Sequence, residues 1–392
     1  MEMISYGRHH VDEADIQAVV DCLRSGALTQ GSKVAEFEQA VSDYVGARYA
    51  VAISNGTAAL HIAALAAGIG PASTVVTSPI TFVASANAAL YVGARPIFAD
   101  IDPDTVNIAP PALAETLSRN PETKAVIPVH FAGLPCDMPA IKTLAAQVGA
   151  LIIEDAAHAL GSRYSDGTRV GCCAHSLMTT FSFHPVKSIT TGEGGMITTN
   201  DEQIYRRLLR LRSHGINKGS DEFVDQEAAY TDGILNPWYY EMRELSFNYR
   251  ITDFQCALGL SQLGKLDRFV KRRRHLVARY DKAFIDLKLI QPAQVSGRDQ
   301  SAHHLYPVRI NFDAAGISRA KLMNRLREKG VISQVHYMPV PAHPYYCRMG
   351  FSPDDYPNAR AYYRQALSIP LFYDLTEEQQ DAVISMLKEL LP

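Results

Sequence analysis

The stretch YAVAISNGTAALHIAALAAG, residues 49–68, passes from a short run with strand character, through Asn55 and Gly56, into an alanine-rich run that reads as a helix. The alternation recurs downstream. STVVTS (73–78) precedes the helical FVASANAALYVG (82–93), and RPIFADI (95–101), KAVIPVHF (124–131), ALIIEDA (150–156) and GGMITTN (194–200) follow as further short apolar runs. Strands alternating with helices predict a mainly parallel α/β sheet covered by helices on both faces. Ligands of such sheets bind at the carboxyl ends of the strands.

Single cores stop growing near about 250–300 residues, so a chain of 392 residues predicts two units. After residue 200 the texture changes. DEQIYRRLLRLRSHG (201–215) reads as a helix, and the polar, aromatic stretch 216–250 is long for a connection, which marks it as a functional loop or a clamp between subunits. Residues 252–284 read as one long helix or two abutting ones, able to bridge the units. The remainder fits a small α+β unit, with Thr376 and Gln379 forming a capping box at the start of the last helix. On this reading residues 1–262 form the large domain, with the interface segment at about 216–250, and residues 263–392 the small one.

Thirty-eight basic against 41 acidic residues leave a net charge of −3, which gives no general attraction to nucleic acid or to an anionic membrane surface. The basic run Lys271–Arg274 is read as a solvated helix face, since no basic field surrounds it. The opening residues show no charged start followed by an apolar run, and no segment approaches the roughly 20 apolar residues of a membrane span. The expected location is the cytoplasm. Six cysteines without metal-ligand spacing are read as reduced thiols, and no metal site is expected.

FSFHPVKSITTGEGG (181–195) sets Lys187 in a stretch too rich in glycine and hydroxyls for a strand interior and too broken for a helix. Taken alone, such a lysine is an ordinary loop residue. Two other places bear on it. Between residues 51 and 60 a strand leads into a helix at Gly56 and Thr57, whose amides are suited to phosphate, although a plain glycine turn fits the same residues. In ALIIEDAAHALGS (150–162), Glu154 and Asp155 end an apolar strand, where a carboxylate needs a cation or a donor; a helix-capping aspartate fits as well. A phosphate, a protonated pyridine nitrogen and an aldehyde that takes a lysine are parts of one ligand. That ligand is pyridoxal 5'-phosphate, whose usual protein partners are a Schiff-base lysine and an acid at the ring nitrogen.

NGTAALHIAALAAGIG (55–70), SPITFVASANAALYVGARPIFADID (78–102), EDAAHALGS (154–162), FSFHPVKSITTGEGGMITTND (181–201) and FNYRITDFQCALGLSQL (247–263) resemble the DegT/DnrJ/EryC1/StrS sugar aminotransferases. The resemblance implies the type I fold of pyridoxal-phosphate-dependent transferases: a mainly parallel seven-stranded sheet in the large domain and a smaller α+β C-terminal domain. It implies Lys187 as the Schiff-base and proton-carrying lysine, Asp155 at the ring nitrogen, His158 along the ring edge and Phe82 stacked on the ring face. Gly56, Thr57 and Ser182 would hold the phosphate, joined by Asn248 from the neighbouring subunit, so that a homodimer shares its active sites.

Within that family, FHPVK with ITTGEGG, PWYYEM before FNYR, and QVHYMPV followed by HPYY are most similar to the UDP-4-amino-4,6-dideoxy-N-acetyl-β-L-altrosamine transaminases of pseudaminic acid synthesis. That similarity implies L-glutamate as donor, 2-oxoglutarate as its product and UDP-2-acetamido-2,6-dideoxy-β-L-arabino-hex-4-ulose as acceptor. It also implies Tyr6, Gln30, His336 and Tyr337 as contacts to the nucleotide sugar. The alternatives are another nucleotide-linked keto sugar, such as the UDP D-xylo epimer or a dTDP 3- or 4-keto sugar, and a cofactor-binding regulator. The dehydratase branch of the family carries histidine at the lysine position, so Lys187 argues against it. Arg250 fits either an anion anchor or an interface salt bridge.

Overall fold

The computed structural model describes residues 3–219 and 223–391. Two helices, α1 (Glu13–Ser25) and α2 (Ser32–Val45), precede a sheet of seven strands: β1 (Tyr49–Ile53), β2 (Thr74–Thr77), β3 (Arg95–Phe98), β4 (Thr123–Ile127), β5 (Leu151–Asp155), β6 (Met178–Ser182) and β7 (Gly195–Thr199). Helices α3 (Gly56–Ala66), α4 (Ala84–Tyr91), α5 (Pro110–Arg119) and α6 (Met138–Gln147) cross between strands, and α7 (Glu202–Arg212) follows the last. The strand order is β1-β7-β6-β5-β4-β2-β3. β7 runs antiparallel to both of its neighbours, and the other pairs are parallel.

Successive side chains of a strand point to opposite faces, and here both faces are apolar. In β1, Ala50 and Ala52 join one buried cluster with α2, while Val51 and Ile53 join another with α3. In β4, Val126 belongs to the first cluster, Ala125 and Ile127 to the second. Burial on both faces is why these strands read as continuous apolar runs. The antiparallel course of β7 matters for the site, because its first residue, Gly195, pairs with Ile53 on one side and Ser182 on the other. Strand ends from β1 and β6 thereby meet the beginning of β7.

Stretch 216–250, of which residues 220–222 lie outside the described residues, contains β8 (Ile216–Asn217), the short helix α8 (Gln226–Ala229), and strands β9 (Tyr230–Thr231), β10 (Ile234–Leu235) and β11 (Glu241–Met242). Asp232 and Gly233 join β9 to β10 with φ of 52° and 77°, the mirror-image turn whose twist suits a hairpin. Ile234, Trp238, Tyr240, Met242, Leu245 and Phe247 are all exposed on this segment.

Residues 252–284 resolve into two abutting helices, α9 (Asp253–Leu263) and α10 (Leu266–Phe284). α10 does bridge two cores. Its Leu266, Phe269 and Val270 pack with the large sheet, while Leu276, Val277, Tyr280 and Phe284 join a separate cluster. That second cluster is built on an antiparallel sheet of β12 (Ile290–Pro292), β13 (Tyr306–Ile310) and β14 (Ala366–Ile369), with α11 (Arg319–Glu328) and the last helix packed on it. α12 (Pro344–Arg348) and α13 (Pro357–Gln365) lie before β14, and the last helix, α14 (Glu377–Leu390), starts at the Thr376–Gln379 capping box expected from the sequence. Among the described residues no helix is long and apolar enough to cross a membrane.

Candidate active site

At the carboxyl ends of the central strands lies a cavity of about 940 Å³. Its inner end is the start of α3. Asn55 is the N-cap and accepts from the Ala58 amide at 2.8 Å through its side chain, so the chain enters the helix at a cap rather than through an Asn-Gly turn. Gly56 and Thr57 then present the first turn of the helix to the cavity, beside Ser182 at the end of β6. Two glycines allow this approach. A Cβ on Gly56 would sit 2.9 Å from the Ser182 Cβ, and one on Gly195 would sit 2.7 Å from the Asn55 carbonyl group.

Asp155 closes β5 and lines the cavity. Its Oδ2 accepts from the Ser85 hydroxyl at 2.6 Å and its Oδ1 from the Ala157 amide at 3.1 Å. Held by two donors, the carboxylate is fixed in direction. Glu154 points the other way, fully buried, and accepts from His130, Tyr164, Ser176 and Thr179. Those bonds outweigh the cost of burial and hold the Glu154 carboxyl below its ordinary range.

Lys187 is carried by the connection between β6 and β7, and the local chemistry shows why so polar a loop folds inward. The Phe183 carbonyl accepts from both the Thr191 amide and the Thr190 hydroxyl at 3.0 Å, and the Lys187 amide donates to His184 at 2.8 Å. Thr190 and Thr191 are buried with their hydroxyls bonded to backbone carbonyls. Burial lowers the Lys187 ammonium from 10.5 to about 8, against the opposing pull of Asp155. The ammonium still predominates at neutral pH, but the neutral amine that a nucleophile or base requires is far more populated than at the ordinary value.

The remaining wall is aromatic. Phe82 is 59 % exposed although it lines the cavity, so its ring face is open to a ligand. His158, His304, His336, Tyr337 and Tyr6 line the same cavity, with the Tyr337 ring centroid 6.4 Å from that of Phe82. His158 and His304 pack ring against ring, with centroids 4.5 Å apart. Burial pushes both well below the usual histidine range, and it lowers His336 to about 3.

Lys187, Asp155, His158, Gly56, Thr57, Phe82, Ser182, Tyr6, His336 and Tyr337 therefore all line one cavity. Gln30 and Asn248 do not. Gln30 sits in the turn before α2 with φ 57°, and Asn248 lies across from Ser213, its side chain accepting from the Arg250 amide at 3.2 Å. Neither reaches the cavity of its own chain. Arg250 donates to the Ser213 hydroxyl at 2.7 Å. The sequence reading missed Ser85 and His304; the lone hydroxyl in the alanine-rich start of α4 is the signal that could have found Ser85.

The residues present fit pyridoxal phosphate: helix amides and a hydroxyl for the phosphate, an open ring face at Phe82, a fixed carboxylate for the ring nitrogen and a buried, partly neutral lysine for the aldehyde. Fold and site together define a pyridoxal-phosphate-dependent sugar aminotransferase of fold type I. Residues 9–388 match the model of the DegT/DnrJ/EryC1/StrS aminotransferase family, and the chain belongs to that family. It is 37% identical over 390 residues to the spore coat polysaccharide biosynthesis protein SpsC of Bacillus subtilis, covering 99% of this chain and 97% of SpsC. Among solved structures it resembles Helicobacter pylori PseC, an aminotransferase involved in the biosynthesis of pseudoaminic acid, with a TM-score of 0.89 and 29% identity over 100% of this chain and 99% of that one. The PMP-form of Spr1654 from Streptococcus pneumoniae matches with a TM-score of 0.87 and 30% identity, covering 98% of both chains, and the same protein was also solved in a PLP-form.

Proposed function

We propose that the protein transfers the amino group of L-glutamate to C4 of UDP-2-acetamido-2,6-dideoxy-β-L-arabino-hex-4-ulose, as a cytoplasmic homodimer whose active sites are shared between subunits. The observation that carries this reading is the size and wall of the cavity. At about 940 Å³ it stands at the upper end of the range of about 300–1,000 Å³ usual for small-molecule sites, and Tyr6, Gln334, His336 and His343 line it together with the cofactor-site residues. Those residues belong to the N-terminal segment and to the QVHYMPV and HPYY stretches, where the sequence reading sought the nucleotide sugar. The likeness to PseC supports the pathway.

Bound pyridoxal phosphate supplies an electron sink that makes a carbon next to nitrogen acidic. The chain supplies the rest. Asp155, pinned by Ser85 and Ala157, keeps a proton on the ring nitrogen. Lys187 in its neutral form takes the proton from the α-carbon of glutamate and, in the second half of the cycle, delivers one to C4 of the sugar from its own side of the cavity. Asn248 is assigned to the phosphate of the neighbouring site, and the exposed apolar surface of stretch 216–250 to the subunit interface. We place the boundary between large and small domains at residue 262, inside the α9–α10 pair.

Product analysis by mass spectrometry and NMR tests the reading, with glutamate and the L-arabino keto sugar in one reaction and the D-xylo epimer and a dTDP keto sugar in parallel. A 4-amino product from the L-arabino sugar alone supports it. Turnover of another sugar alone overturns the substrate and leaves the aminotransferase. The second reading, a different nucleotide-linked keto sugar, is favoured by the likeness to SpsC, whose name places it in spore coat polysaccharide synthesis.

A further inference from the structure

A second and much smaller pocket shares Lys187 with the large cavity. Its volume is about 10 Å³, the room of one water-sized sphere. The N-terminal segment at residues 8–10 walls it on one side, the β6–β7 connection at Lys187, Ser188 and Thr190 on another, and α10 contributes Arg273. Among the described residues no aspartate or glutamate lines it. Arg273 is only 3 % exposed. Its Nη1 donates to the carbonyls of His304 and Leu371 at 3.1 and 3.0 Å, so neutral acceptors hold the guanidinium in place. Among the described residues its Nε has no partner. Burial pulls the group from 12.5 to about 10 with no carboxylate acting the other way, and it keeps its charge at neutral pH. The carboxylates nearest the N-terminal wall are committed elsewhere, Asp374 to His10 at 2.8 Å and Asp12 to Lys265.

Ser188 supplies a second donor to the same wall. It is buried, and its hydroxyl makes no hydrogen bond among the described residues. Thr190, by contrast, gives its hydroxyl hydrogen to the Phe183 carbonyl at 3.0 Å and accepts from the Gly192 amide at 3.0 Å. Two N–H and O–H groups without partners thus line a pocket of single-atom size, and their ligand must be an acceptor. Water and a halide ion both meet that condition, while sulfate and phosphate are too large. Charge decides between the two. A buried cation is costly unless a counter-charge meets it, and water brings none. We propose that this pocket binds one chloride ion, held by the Nε–H of Arg273 and the hydroxyl of Ser188. The ion ties the loop that carries Lys187 to α10, the helix that packs on both cores. The site stands apart from the sugar and from the contacts to the cofactor, so it does not rest on the substrate proposed above.

Bromide replaces chloride in such sites and scatters anomalously. Crystals of the enzyme with pyridoxal phosphate bound, grown in sodium bromide, should show a bromine peak between Arg273 and Ser188. Density there without an anomalous signal is a water and overturns the proposal. Thermal unfolding of the same holoenzyme asks whether the ion binds in solution. At fixed ionic strength, sodium chloride should raise the midpoint by about 1–3 °C over sodium gluconate, whose anion cannot enter a pocket of this size. Equal midpoints in the two salts would mean binding at crystal concentration only, and would also overturn the proposal. Ser188→Ala removes one donor and leaves the carbonyl bonds of Arg273 in place. The variant should fold and capture pyridoxal phosphate as the wild type does, with its chloride response lost. A response that survives in Ser188→Ala would place the ion elsewhere in the molecule and sink the assignment.

Discussion

The Ser85 hydroxyl, 70 residues upstream in sequence, donates to Asp155 Oδ2 at 2.6 Å, and both are buried. Thr81 lies 2.6 Å from the same hydroxyl. A carboxylate can only accept, so Ser85 gives its hydrogen to Asp155 and takes one from Thr81, forming a directed chain from the loop before α4 to the end of β5. Bonds to charged groups contribute about 1.5–3 kcal/mol. Ser85→Ala should lower kcat by about 10- to 100-fold through a misdirected Asp155, with the fold kept. Steady-state kinetics beside circular dichroism check this; a kcat within twofold of wild type would show that the Ala157 amide suffices.

The lowered Lys187 gives a pH dependence whose sign is set by chemistry. Below about pH 8 the side chain is mostly ammonium and cannot attack an aldehyde; above it the neutral amine dominates. The rate at which the cofactor-free enzyme captures pyridoxal phosphate should rise with pH and level off above about 8. Stopped-flow absorbance reads this directly. A rise that continues toward the unshifted value of 10.5 would mean that the lysine is not desolvated in solution.

Six strands of the large sheet were legible because they are buried on both faces and α3 and α4 between the first of them are rich in alanine, so composition and period agree; β6, MTTFS, went unread because its threonines break the apolar run. Lys187 was legible by its misfit: a lysine among glycines and hydroxyls that are buried by bonding to their own loop. His304 was not. It stands in SAHHLYPV just before β13, and nothing local in sequence tells that Arg273 and the Ala132 carbonyl hold that strand entry against the large domain. Ser85 was hidden for the same reason, because its partner lies two strands away. β14 also went unread, since four residues, ALSI, carry too little pattern to mark a strand.

Gly195 is needed for its missing side chain rather than for its backbone freedom. A Cβ there would meet the Asn55 carbonyl group at 2.7 Å and the Gly56 amide nitrogen at 3.0 Å. Gly195→Ala must push the first turn of α3 outward, at about 1–3 kcal/mol of stability, and should also weaken phosphate binding. Gly70→Ala is the matched control, since nothing lies within 4 Å of its Cβ. Thermal unfolding and a titration with inorganic phosphate should separate the two. Equal behaviour of both variants would mean that the β7 start can retreat without cost.

The subunit assignment makes a prediction that no property of a single chain can mimic. The exposed apolar residues of stretch 216–250, with Trp238 72 % and Leu245 78 % exposed, form a surface that a lone soluble chain has no reason to display. Asn248 does not reach its own cavity. If Asn248 completes the phosphate site of the neighbour, each site takes Lys187 from one chain and Asn248 from the other. Lys187→Ala and Asn248→Ala should then each be impaired as homodimers. Mixed after mild dissociation, they yield heterodimers with one doubly defective site and one intact site. Activity should rise on mixing toward about a quarter of wild type, since random pairing makes half of the dimers mixed and half of their sites whole. Failure to recover activity, with heterodimers confirmed by native mass spectrometry, would place Asn248 in its own subunit's chemistry or in none. Leu245→Asp adds a second reading of the same surface: it should shift the enzyme toward monomer in sedimentation and lose activity in proportion.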